Sequence, residues 1–172
     1  MKTNFVKNPL IIFIIIMLIF SRILPHPPNF TPIIASAVML NYFTNNKFSS
    51  LLILFSSMFL SDLIIGLHGG MLTVYFALLI IFLISLILFN KFNLKSVFIN
   101  SIVSSLVFFL ITNFGVWLNG ELYSKSLKGL IECYTMAIPF YNNTLASTIF
   151  YMVLVYFVLS VSKRIKRTNI NV

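Results

Sequence analysis

An all-α fold, a polytopic bundle of about six transmembrane helices forming one domain, is what this sequence predicts, and three observations predict it. Of the 172 residues, 59% are hydrophobic and only 9% charged, whereas soluble domains carry about 25% charged residues. The mean hydropathy of +1.02 agrees. The apolar residues come in long unbroken runs; barrel strands would instead alternate apolar and polar positions over about ten residues. Finally, Lys and Arg collect in alternate gaps between those runs, as they do when a chain is threaded back and forth through a bilayer.

The first run, 9–24, follows Lys2 and Lys7 and has the outline of a secretory signal. Ser21, Arg22, Ile23 and Leu24 offer no small-x-small cleavage site, and Ala35-Ser36-Ala37 lies inside the next run, so an uncleaved first helix is expected. The second run, 31–43, is short for a hydrocarbon layer about 30 Å thick and must extend towards Asn29 or tilt. The third covers 51–67, the fourth 71–89 and the fifth, the longest, 97–118. Leu130–Phe140 reads as an interfacial or re-entrant piece, because Pro139 and the Asn142-Asn143 pair interrupt it. The last span is 144–161. No linker, soluble domain or repeat divides residues 1–172.

With six crossings, nine Lys and Arg fall on one side and three (Arg22, Lys125 and Lys128) on the other. The bias places both termini in the cytoplasm and the chain in a bacterial cytoplasmic (inner) membrane. The same rule explains the net charge of +9 without nucleic acid. The final Lys163-Arg164-Ile165-Lys166-Arg167 run reads as an anchor on anionic lipid. Asp62, Glu121 and Glu132, all the acids of the chain, then fall on the outer half. The assignment requires the short second run to cross.

That outer half gathers the residues able to carry chemistry. Arg22 to Pro32 holds four prolines in eight positions, a stiff extended turn that would fix His26 and Asn29 as ligand contacts or serve as an elbow between helices. Asp62 near a helix end must face protein or water and find a partner, and Arg22 at the same level is the candidate. The pair either clamps two helices or anchors a polar substrate group. Gly66-Leu67-His68-Gly69-Gly70 permits a tight turn with His68 at its tip.

Asn113 and Trp117, four apart, share a helix face where an amide and an indole would suit a planar heterocycle; the alternative is helix glue and an interfacial Trp. Glu121 and Tyr134 complete the outer set. Ser57/Ser61 and Ser101/Ser105, small residues four apart, are expected to let helices approach closely. Asn142-Asn143-Thr144 is formally a glycosylation sequon without a route that would use it. A lone Cys133 rules out an internal disulfide framework. His26, His68 and Asp62 lack metal-site spacing. No Walker-type loop or catalytic constellation stands out, which excludes an ATPase within the chain.

Taken together, Arg22–Pro32 with its His-Pro-Pro-Asn-Phe-Thr-Pro core, Ser61-Asp62 with Gly66-Leu67-His68, Thr112–Trp117 and Cys133–Phe140 resemble a family of small, uncharacterised bacterial membrane proteins. More loosely, the size and six-helix plan are similar to the substrate-binding S components of energy-coupling factor importers. That resemblance implies capture of a vitamin or micronutrient near the outer surface, with a separate coupling subunit and ATPases as partners.

The function expected is therefore a substrate-binding membrane subunit of a small-molecule importer. It would be neither an enzyme nor the holder of a cofactor, metal or nucleic acid, and its partners would be the lipid bilayer and a small-molecule substrate. The outward pocket would draw on Arg22, His26, Asn29, Asp62, His68, Asn113, Trp117, Glu121 and Tyr134. The alternative is a structural, scaffolding protein of the cell envelope, similar to small rod-shape subunits. An intramembrane enzyme using His26 or His68 as a base is a third reading.

Overall fold

A computed structural model describes residues 9–44, 46–89 and 91–170, with side chains over 15–44, 46–89 and 91–161. The predicted cytoplasmic lysines Lys2 and Lys7 and the side chains of the basic run at 163–167 lie outside that description. Among the described residues the chain forms seven helices and no strand: α1 Pro9–Ile23, α2 Ile33–Phe43, α3 Lys47–Ile65, α4 Met71–Leu88, α5 Leu94–Asn119, α6 Leu127–Met136 and α7 Ile138–Ile170. Helices α3, α4, α5 and α7 are long and apolar enough to cross a membrane.

Polar side chains fix where the helices begin. The Asn46 carboxamide accepts from the backbone N–H groups of Phe48 and Ser49, so α3 starts at Lys47 rather than at 51. Asn93 accepts from Ser96 N–H and starts α5 at Leu94, and Ser126 accepts from Gly129 N–H at the head of α6. Helix α3 ends at Ile65, two residues short of the predicted end, because Gly66 follows with a φ of 113° that is open to glycine but costly for other residues.

The last helix differs most from expectation. It starts at Ile138 instead of 144 and runs through Pro139 and Asn142-Asn143. Proline at the second helical position removes no intrahelical hydrogen bond, because the first-turn N–H groups have no partner within the helix. The predicted interfacial piece becomes two elements, the ten-residue helix α6 and the first turn of α7.

The short second run forms α2, 11 residues long, which spans about 16 Å at 1.5 Å per residue. It packs against α1, α3, α4, α5 and α7, and every residue from Ile34 to Asn41 is buried. Helix α2 is the apolar centre of the bundle, with Val38 and Leu40 wholly buried beside Leu54, Leu78 and Ile81.

Elsewhere the large apolar residues face outward and the small polar ones inward, the arrangement expected where the solvent is hydrocarbon. Ser57, Ser61, Ser101 and Ser105 are each 2% exposed or less, matching the close packing their spacing predicts. Ser105 Oγ donates to Thr148 Oγ1 at 3.2 Å and joins α5 to α7.

Candidate functional site

Three helices meet at one ion pair. The Arg22 guanidinium, at the end of α1, contacts Asp62 Oδ1 on α3. It also donates to Ser61 Oγ at 2.6 Å and to the Met58 carbonyl at 3.1 Å. The Tyr75 hydroxyl of α4 donates to Asp62 Oδ2 at 2.7 Å. Asp62 is fully buried and Arg22 nearly so, so both charges are spent inside the protein. Arg22 pairing with Asp62 is what their common level in the sequence suggests. Tyr75 is not read from sequence, yet residues 62 and 75 lie symmetrically about the glycine-rich turn, and an antiparallel hairpin sets them opposite each other.

Above this pair the proline-rich segment folds over the end of the bundle. Asn29 adopts the left-handed region, φ 61°, a conformation Asn tolerates better than most residues. Its carbonyl accepts from Ser147 Oγ at 3.3 Å, and the Pro28 carbonyl accepts from Asn143 Nδ2 at 3.0 Å. The segment is thus strapped to α7. His26 Nδ1 lies 2.8 Å from the Pro27 carbonyl.

Two abutting cavities open beneath and beside the strap. One, about 320 Å³, is walled by Arg22, His26, Asn29, His68 and Thr144 among others. The second, about 390 Å³, has Asn29, Asn113, Tyr123 and Tyr141 as its polar wall, with Phe109 and Met136 opposite. Asn29, Val74 and Phe108 line both. Either volume falls in the range of small-molecule pockets, as does their mixture of an apolar wall with a few convergent polar groups.

The predicted residues therefore divide. Arg22, His26, Asn29, His68 and Asn113 come together around the two cavities, and Asp62 stands behind Arg22. Trp117, Glu121 and Tyr134 line neither. The Trp117 indole donates to the Ser124 carbonyl at 2.9 Å, and the Lys125 ammonium sits 5.8 Å from its ring centre. Lys125 also donates to the carbonyls of Trp117, Leu118 and Gly120, neutralising the end of α5. Glu121 is exposed beside this clamp.

Tyr134 donates to the Leu110 carbonyl at 2.7 Å and holds α6 to α5. Cys133 faces Asn113 from α6, and burial pushes its thiol up, partly offset by a backbone hydrogen bond from Trp117. Burial, and then the neighbouring Cys133, raises Tyr134 as well. Tyr123 and Phe108 join the cavity walls without a motif to mark them, while Tyr141 and Thr144 join them from either side of the Asn142-Asn143 pair, in the polar-aromatic stretch before the last predicted span. Among the described residues no group of three His, Cys, Asp or Glu side chains could hold a metal ion.

No curated protein and no solved structure matches this chain. The model of a family of unknown function, DUF6580, matches residues 2–168, and the chain belongs to that family.

Proposed function

We propose that this protein is the substrate-binding membrane subunit of a small-molecule importer, with the two abutting cavities as its binding site. One observation carries the reading: residues from four separate stretches of the chain, represented by His26 and Asn29, His68, Asn113 and Tyr141, surround two cavities that share Asn29, Val74 and Phe108 at one end of the bundle. Volumes of about 320 and 390 Å³, walled by apolar surface with a few convergent polar groups, are what small-molecule pockets offer. The proline-rich strap, tied to α7, fixes Asn29 where the cavities meet.

In this reading the chain crosses a bacterial inner membrane six times with both termini in the cytoplasm, and the cavities face outward. The charge bias supports that direction, with nine Lys and Arg on the opposite side. Helix α2, too short to span by itself, makes its crossing together with the exposed segment before it, which the Asn143 and Ser147 side chains tie to α7. The substrate is vitamin-like or a micronutrient, and binding involves no covalent chemistry. Energy comes from a separate coupling subunit with ATPases, as in importers that use S components.

The test is purification in mild detergent followed by native mass spectrometry. A co-purified small molecule, lost on substituting Asn113 by Ala, is the expected result. A protein that carries no ligand across several growth conditions, but recruits cell-envelope proteins through its outer loops, overturns the reading in favour of a scaffold.

A further inference from the structure

The larger cavity has no Lys, Arg, His, Asp or Glu among the described residues that line it. Among the described residues, Arg22 is the only Lys, Arg, Asp or Glu lining the smaller cavity, beside His26 and His68, and it is committed to Asp62, Ser61 and Met58. Asp62 in turn is closed off by Arg22 and Tyr75. Lys125, in the loop after α5, is occupied by three backbone carbonyls. What remains is aromatic and aliphatic surface with neutral hydrogen-bonding groups. In the larger cavity a charged ligand would have to leave water without a counter-charge, which the interior penalises heavily.

The cavities also continue sideways. The larger one shares Val74, Thr112 and Val116 with a third cavity, about 340 Å³, between the outer ends of α4 and α5. That third cavity shares Thr73, Gly115 and Asn119 with a groove of about 490 Å³ on the outer surface of the same two helices. The groove is walled by Leu72, Phe76, Leu110, Phe114 and Leu118, all exposed and all on helices long enough to span. Between interior and groove stands one close approach. A Cβ placed on Gly115 would lie 2.3 Å from Thr73 Cγ2, so the two helices touch there because position 115 has no side chain.

We propose that the site takes an uncharged, lipid-soluble molecule, and that this molecule enters from the bilayer between α4 and α5 through the constriction formed by Thr73 and Gly115. The inference rests on reading the two cavities as a ligand site. It adds the class of ligand and the direction of entry. The groove gathers apolar molecules already dissolved in the membrane, and the neutral polar groups of Asn29, Thr112 and Asn113 then orient them inside.

The test uses full-length protein in liposomes and two photoactivatable aryl diazirines of similar size, one uncharged and lipid-soluble, the other a water-soluble carboxylate. Labelled positions are read by peptide mass spectrometry. A T73C/G115C pair in a Cys133→Ser background locks the constriction; the two Cβ positions lie 2.9 Å apart, so slight relaxation suffices for a disulfide. The expected result is cavity labelling, at the half-buried Phe108 and Phe109, by the uncharged probe only. Oxidation removes that labelling, reduction restores it, and labelling at exposed Leu72 and Phe76 stays constant.

Should the disulfide not form, Thr73→Ala, which widens the constriction, raises the initial rate of cavity labelling by the uncharged probe. Cavity labelling by the carboxylate, or labelling that ignores both the lock and Thr73→Ala, overturns the proposal while leaving the site standing. Absence of cavity labelling by either probe removes the site itself.

Discussion

The Tyr75 hydroxyl donates to Asp62 Oδ2 at 2.7 Å, and this bond links α4 to a carboxylate whose other oxygen Arg22 already holds. A buried ion pair stabilises little compared with an apolar pair of the same shape, but losing one partner leaves the other charge stranded. Asp62→Ala should therefore cost about 3–5 kcal/mol, and Tyr75→Phe only about 1–3. The exchange of both charges, Arg22→Met with Asp62→Leu, should cost much less than Asp62→Ala alone. Unfolding midpoints of the detergent-purified variants check the order, and a double exchange as damaging as the single one would refute it.

Asn29 offers a way to separate backbone from side chain. Its φ of 61° suits Gly and penalises Ala by about 1–2 kcal/mol. Asn29→Ala should lower both stability and ligand occupancy. Asn29→Gly should keep stability while occupancy still falls, because Asn29 lines both cavities and the exchange removes its side chain from them. Retained occupancy in the Gly variant would show that only the turn matters.

Close approach at Gly115 predicts coupling between two helices. Gly115→Ala drives a methyl into the stiff, branched Thr73 side chain and should cost about 1–3 kcal/mol. Introducing Thr73→Gly beside it should recover part of that loss beyond additivity. A double-mutant cycle on thermal stability measures the coupling, and strictly additive effects would mean the helices yield freely.

Cys133 is 2% exposed, and burial holds its thiol above the ordinary range. The thiolate, which is the reactive form, is therefore scarce at neutral pH in the folded protein. Alkylation by a maleimide at pH 7 should be far slower than for a free thiol and should accelerate on unfolding. Because the folded value is raised, the protonated thiol is the form the fold favours; the associated stability is present below the unfolded pKa and lost as pH rises through the folded value. Rapid modification of native protein at pH 7 would contradict the burial.

Trp117 serves the loop that follows α5. Trp117→Phe removes the hydrogen bond to the Ser124 carbonyl and weakens the seat of Lys125. The expected result is faster proteolysis within 120–126, with ligand occupancy changed little. A large loss of occupancy with an intact loop would place the indole in the binding site instead.

Much of this protein was legible from sequence because hydrocarbon solvent leaves the backbone few choices. Long apolar runs must become helices, since no water satisfies their amides, and α3, α4 and α5 were placed to within a few residues of their ends. The Arg22–Asp62 pair was legible for a similar reason, as a buried carboxylate has to find a cation nearby. Pattern could not say where α7 begins, because Pro139 interrupts a helix or opens one depending on its position in the first turn. Nor could it show that the weakest run, α2, lies at the centre of the bundle, or that Tyr75 completes the ion pair. Trp117, paired by spacing with Asn113, was turned to its own loop by Ser124 and Lys125. Periodicity records which face of a helix is apolar; which partner meets that face, and whether space remains between them, is decided only when distant segments pack.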